Sequence, residues 1–157
     1  MSGSQAHGGA DPGATSIPAL LRHARGSYGD AIRTELARAG FDDMPRNGPY
    51  VVGGMAGRGG SGADLVRELG ISKQAASQLV DTLVIRGYLT REVDPADRRR
   101  QALDLTERGR AAADVVAAAI REVDHELADL VSAAELAGLR AGLMALITIR
   151  DRRLSQE

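Results

Sequence analysis

The sequence predicts a mainly α-helical chain with one small β-hairpin. Three observations carry that expectation. Apolar residues recur at helical spacing over three long stretches, residues 17–39, 112–130 and 136–147. Between them lie two short helical segments joined by a turn containing glycine, residues 61–70 and 72–86. After these, "YLTREV" alternates with period two, "DPAD" supplies turn residues, and "RRRQALDL" can return as a second strand.

The elements follow in order. Residues 1–16 are small, polar and rich in Gly, and are expected to form a disordered tail. From Ile17 to about Ala39, the residues Leu20, Leu21, Ala24, Tyr28, Ala31, Ile32 and Leu36 make one stripe, and Gly40 suits the position just past a helix end. A short helix is expected from Asn47 through "GPYVVGGMA", until "GRGGSG" breaks it. Ser61 with Asp64 makes a capping box for "GADLVREL", whose inner face is Leu65, Val66 and Leu69, and Gly70 ends it. Ser72 is a good N-cap for the next helix, which runs to Arg86 with Gly87 as its stop. In the hairpin, Leu103 and Leu105 point inward.

Thr106 then caps a long helix with the stripe Ala112, Val115, Val116, Ala119, Ile120, Val123, Leu127 and Leu130. Ser132 and Glu135 form a second capping box. It opens a last helix carrying Leu136, Leu139, Leu143, Leu146 and Ile147, whose "RDRR" end suits a C-terminal dipole. This order is that of a winged helix-turn-helix, about residues 47–106, flanked by long N- and C-terminal helices at about 17–39 and 107–153. A single domain over 17–157 is expected. Two helices this long exceed what so small a domain can cover, so both core and dimerisation surfaces are expected along them.

Composition narrows the function by exclusion. The 157 residues, 43% hydrophobic and 26% charged, are ordinary for a soluble globular chain. Without cysteine, disulfides and thiolate metal sites are closed. His7, His23 and His125 are spaced for no local metal site, so neither metal nor cofactor is expected. No apolar run approaches a membrane span, which leads to the expectation of a cytoplasmic chain with no membrane partner. No nucleophile–base pair stands out, and an enzyme is not expected. "GGMAGRGGSG" lacks the Gly-Lys-Ser/Thr ending of a phosphate-binding loop, and no apolar strand precedes it.

The net charge of −1 hides an asymmetry. Residues 58–110 hold ten cations against eight acids, whereas residues 111–157 hold five against eight. Within the basic part, "SKQAASQLV" opens the second short helix. Lys73, the only lysine beside nineteen arginines, shares one helical face with Gln74, Ser77 and Gln78, while Ala76, Leu79, Val80 and Leu83 line the other. Short amides and hydroxyls at the start of such a helix suit base edges in a major groove. Gln pairs bidentately with adenine, Ser donates or accepts, and Lys reaches guanine or phosphate. An equally plain alternative for that face alone is solvent. Arg98, Arg99 and Arg100 at the hairpin tip tip the balance, since three adjacent cations repel one another unless they face a polyanion. An inserted Arg also suits the enhanced negative potential of a narrow minor groove. Double-stranded DNA is therefore the expected partner, through Ser72, Lys73, Gln74, Ser77, Gln78 and the wing arginines Arg98, Arg99 and Arg100.

Residues 65–109, "LVRELGISKQAASQLVDTLVIRGYLTREVDPADRRRQALDLTERG", resemble the DNA-binding core of the MarR (multiple antibiotic resistance regulator) family. The wing "D-P-x-D-R-R", followed by "L-x-L-T-x-x-G" and a long helix, carries the likeness. In element order it extends over roughly 17–153. The resemblance implies a homodimeric transcription regulator, joined by helices from both chain ends, acting on a pseudopalindromic site near its own promoter. It implies Arg98 as the minor-groove probe, Asp97 and Arg99 as an ion pair bracing the wing, and Arg100 at a phosphate or on the strand. It further implies repression relieved by a small phenolic or lipophilic effector, with His23, Arg46 and Tyr50 as candidate pocket residues. The cysteine-based oxidant sensing of some members is closed here. A second reading stays open: a winged-helix module that senses a ligand or binds protein without specific DNA affinity. The arginine cluster separates the two, because Arg98 has no evident purpose in the second.

Overall fold

The computed structural model describes residues 15–58, 64, 66, 69–93 and 101–156. Among them run α1 (Ile17–Arg38), α2 (Gly48–Arg58), α3 (Lys73–Ile85), β1 (Leu89–Val93), β2 (Gln101–Leu105), α4 (Glu107–Leu130) and α5 (Ala133–Leu154). The fold is mainly α with one two-stranded antiparallel hairpin. The expected tail up to residue 14, the Ser61 cap and the wing tip 94–100 lie outside the described residues. Asp64 and Val66 have helical backbone, and Val66 is buried.

Local chemistry sets the helix ends. Gly40, Gly70 and Gly87 take φ of 81°, 64° and 72°, left-handed backbone that costs a side-chain-bearing residue about 1–2 kcal/mol. At Gly87 the reversal is doubly closed: its N–H donates to the Val84 carbonyl at 2.9 Å, and Tyr88 N–H to the Leu83 carbonyl at 2.8 Å. Gly40 and Phe41 close α1 in the same way, onto Ala37 and Leu36. At the other ends, Ser72 Oγ accepts from Ala75 N–H at 3.2 Å, and Ser132 with Glu135 completes the capping box of α5. Strand β1 starts at Leu89, one residue later than the alternation predicts. Tyr88 N–H already closes the helix behind it.

Two units divide the chain, Met1–Ala119 and Ile120–Glu157. In the first, the core gathers Leu36 from α1, Val51 and Val52 from α2, and Leu79 and Leu83 from α3. Tyr88, Leu89 and Leu105 add the hairpin, and Ala112, Ala113, Val116 and Ala119 add α4. The pairing Leu89↔Leu105 puts two of these side chains side by side at the base of the hairpin. α2 packs tightly on α4: a Cβ on Gly53 would stand 3.1 Å from Val116 Cγ1. In the second unit, α5 has no buried residue, and Leu139, Met144, Ile147 and Ile149 are exposed. Leu130, at the end of α4, is 81% exposed. Ile17, Leu20 and Leu21 of α1 are likewise open, so burial follows the predicted stripe of α1 only toward Leu36.

Candidate nucleic-acid interface

Helix α3 is oriented by its apolar side. Leu79 and Leu83 are buried, which turns Lys73, Gln74, Ser77 and Gln78 outward, and all four are exposed. The two faces are those the spacing predicts. Ser72 is exposed too, but its hydroxyl caps the helix through Ala75 N–H. Thr82, one turn beyond Gln78, bonds back to the Gln78 carbonyl at 2.7 Å. The only acid of α3, Asp81, accepts a hydrogen bond from Arg91 of β1. That pair ties the first strand of the wing to the polar helix. It also neutralises a carboxylate that would otherwise repel a polyanion near the helix.

The root of the hairpin is fixed against α4 by the "L-T-x-x-G" segment. The Thr106 hydroxyl donates to the Gly87 carbonyl at 2.5 Å and accepts from Gly109 N–H at 3.0 Å, capping α4. Thr106 N–H donates to the Tyr88 carbonyl at 3.1 Å. The approach leaves no room for a side chain at Gly109, where a Cβ would stand 2.0 Å from the Tyr88 carbonyl oxygen. Arg110 adds a hydrogen bond to the Leu105 carbonyl at 2.5 Å. Of the expected wing residues, Asp97, Arg98, Arg99 and Arg100 lie outside the described residues.

One cluster escapes sequence reasoning. Asp43, in the connection between α1 and α2, accepts hydrogen bonds from the Tyr88 hydroxyl and from Arg108 Nη2, the latter at 2.8 Å. Arg108 also donates to the Tyr88 oxygen at 3.1 Å, and its guanidinium lies 4.7 Å from the centroid of the Tyr88 ring and 5.6 Å from that of Phe41. The two rings are tilted, centroids 6.1 Å apart. Arg86 donates to the Asp43 backbone carbonyl. The Tyr88 hydroxyl, with Arg108 beside it, holds the Asp43 carboxyl below the ordinary range despite some burial. Burial, and then the hydrogen bond to Asp43, push the Tyr88 phenol up.

The residues proposed for a pocket are less organised. His23 is exposed on α1, its Nδ1–H donating to the Ala19 carbonyl one turn back at 2.9 Å. Arg46 is exposed in the α1–α2 connection, and Tyr50 is 41% exposed on α2. Among the described residues, no group of three or more His, Cys, Asp or Glu side chains could hold a metal ion, and no helix is long and apolar enough to cross a membrane.

Comparison with known proteins bears on this arrangement. The family described as MarR family matches residues 50–100, from α2 through the wing. The structure is similar to that of Streptococcus pneumoniae FabT in complex with DNA, at TM-score 0.72 and 20% identity, covering 87% of this chain and 96% of that one. It is similar to an S. aureus MepR–DNA complex, at TM-score 0.68 and 19% identity, with 85% and 98% covered. A probable transcriptional regulator from Pseudomonas aeruginosa is 25% identical at TM-score 0.62, with 83% and 96% covered. No curated protein matches the chain by sequence.

Proposed function

We propose, from the premise that the chain carries the winged-helix fold of MarR-family transcription regulators, that it binds double-stranded DNA sequence-specifically as a homodimer and represses transcription. The observation that carries the reading is the exposed polar face of α3, held beside the hairpin by Asp81 and Arg91. Two of the similar structures hold DNA. In this reading α3 lies in the major groove. Gln74 and Gln78 address adenine edges, Ser77 adjusts as donor or acceptor, and Lys73 reaches guanine or phosphate. Ser72 contributes as the cap that fixes the first turn. Arg98 enters the minor groove at the wing tip, Asp97 and Arg99 brace it, and Arg100 lies near the backbone.

Dimerisation is supported by the apolar side chains left open at both chain ends: Ile17, Leu20 and Leu21 on α1, and Leu139, Leu146 and Ile147 on α5. A two-fold dimer would set its α3 helices roughly 34 Å apart, one turn of DNA, which calls for a pseudopalindromic site. A small phenolic or lipophilic effector would release the DNA by binding one spacing of the two helices better than the other. His23, Arg46 and Tyr50 are its candidate contacts. The regulator acts in the cytoplasm and performs no catalysis of its own.

Selection of duplexes from a random library with the purified protein tests this reading. Recovered sequences should share a two-fold symmetric motif, and Arg98→Ala should weaken binding to it at least about tenfold while the fold is kept. Recovery of no shared motif would leave a module that binds protein or ligand instead.

A further inference from the structure

The Asp43–Tyr88–Arg108 cluster shares no residue with the polar face of α3, and the proposed reading of DNA does not use it. It nonetheless joins three segments far apart in sequence: the α1–α2 connection, the residue that enters β1, and the first turn of α4. Tyr88 is completely buried at the hairpin root, while Asp43 and Arg108 are each about two-fifths exposed. With both charged groups still part-solvated, their pairing adds little to stability beyond what apolar contacts would give. What the polar version adds is direction. The phenol and the guanidinium converge on one carboxylate oxygen, Asp43 Oδ1, so that the position of one loop atom fixes both. The backbone repeats the tie, for Arg86, at the end of α3, holds the Asp43 carbonyl.

We propose that Asp43, Tyr88 and Arg108 form a positioning clamp that transmits displacement of the α1–α2 connection to the root of the wing. The clamp makes the end of α1, the hairpin root and the start of α4 move as one body. Movement at the N-terminal helix then reaches the wing through Asp43, without any contact to DNA by the three residues themselves. Its consequence for function rests on the DNA-binding reading; its mechanical part does not. Asp43→Asn keeps the size of the side chain and removes its charge. Tyr88→Phe keeps the buried ring and removes the hydroxyl.

Amide hydrogen exchange on the whole, DNA-free chain decides the mechanical part. In both variants, exchange across β1 and β2 should rise at least about fivefold while the amides of α3 change little, because the loss is confined to the hairpin root. The double variant should exchange more slowly than the two single effects multiplied together, since both changes weaken one shared contact, Asp43→Asn by removing the charge of its acceptor and Tyr88→Phe by removing a donor. Arg108→Gln, at a half-exposed position, should give the same pattern and serves should Tyr88→Phe not fold. An unchanged hairpin, or an equal rise across all of α1 to β2, would overturn the clamp. On DNA selected by the wild-type protein, Asp43→Asn should lose minor-groove protection beside the site and keep protection of major-groove guanines. If the wild-type protein selects no DNA, the functional reading fails while the exchange result still stands for or against the clamp.

Discussion

Replacing Gly109 by Ala tests the packing on which the wing depends. An ideal Cβ there would stand 2.0 Å from the Tyr88 carbonyl oxygen, 3.0 Å from its carbon and 3.1 Å from Leu105 Cδ2. The first contact is backbone and cannot swing aside, so α4 and the hairpin root must part by about 1 Å to restore an ordinary approach. Overpacking of this kind costs about 1–3 kcal/mol. The same movement strains the hydrogen bond from Thr106 N–H to Tyr88 O, worth about 1 kcal/mol. Against this, Ala in place of Gly inside a helix returns about 1 kcal/mol. The net loss of about 1–3 kcal/mol corresponds to a fall in Tm of roughly 3–10 °C for a chain of this size. Thermal unfolding at one fixed protein concentration measures it, with Gly57→Ala as control. Nothing lies within 4 Å of a Cβ at Gly57, so that variant should be neutral or slightly stabilised. A Gly109→Ala protein as stable as the wild type would refute the close approach of α4 to Tyr88.

Other substitutions separate roles that overlap. Ser72→Ala should lower stability by about 1 kcal/mol through loss of the cap, whereas Ser72→Asp should keep the cap and weaken DNA binding by charge, with denaturation and DNA titration run on both. Because the carboxyl of Asp43 titrates below its ordinary 3.8 in the folded chain, its contribution is complete above the unfolded value and fades as pH falls through the lowered one. The stability gap between wild type and Asp43→Asn should therefore be widest near neutral pH and close in acid; a gap that does not close would contradict the assignment. Arg91→Ala breaks a half-exposed ion pair and should cost no more than about 1 kcal/mol in denaturant unfolding, while a charge swap with Asp81→Arg and Arg91→Asp should recover part of any lost DNA affinity.

The features legible in the sequence are those built from neighbours in it. Ser72, Ser132 with Glu135, and the glycines at 40 and 87 each act within one turn of chain, and the structure places them as helix ends. Period 3.6 assigns the faces of α3, and even Ile85, off the Leu79–Leu83 stripe, is 84% exposed. The "L-T-x-x-G" motif was visible as a pattern, but its reason needed three dimensions: Gly109 meets the carbonyl of Tyr88, a residue from the far side of the hairpin. Asp43 and Arg108 gave no signal at all. Neither lies near the other in sequence, and a charged residue in a loop or in the first turn of a helix reads as ordinary surface. The apolar stripes of α1 and α5 were legible as stripes, yet periodicity cannot distinguish a side chain covered by its own chain from one left for another.

The most direct test of DNA recognition is fluorescence anisotropy on the DNA upstream of the chain's own gene, against random duplex, across a salt series. Tight binding that favours the upstream DNA is expected, with affinity falling steeply as salt rises, and a shallower slope and weaker binding for Arg98→Ala. Absence of binding to either duplex even at low salt would contradict DNA recognition.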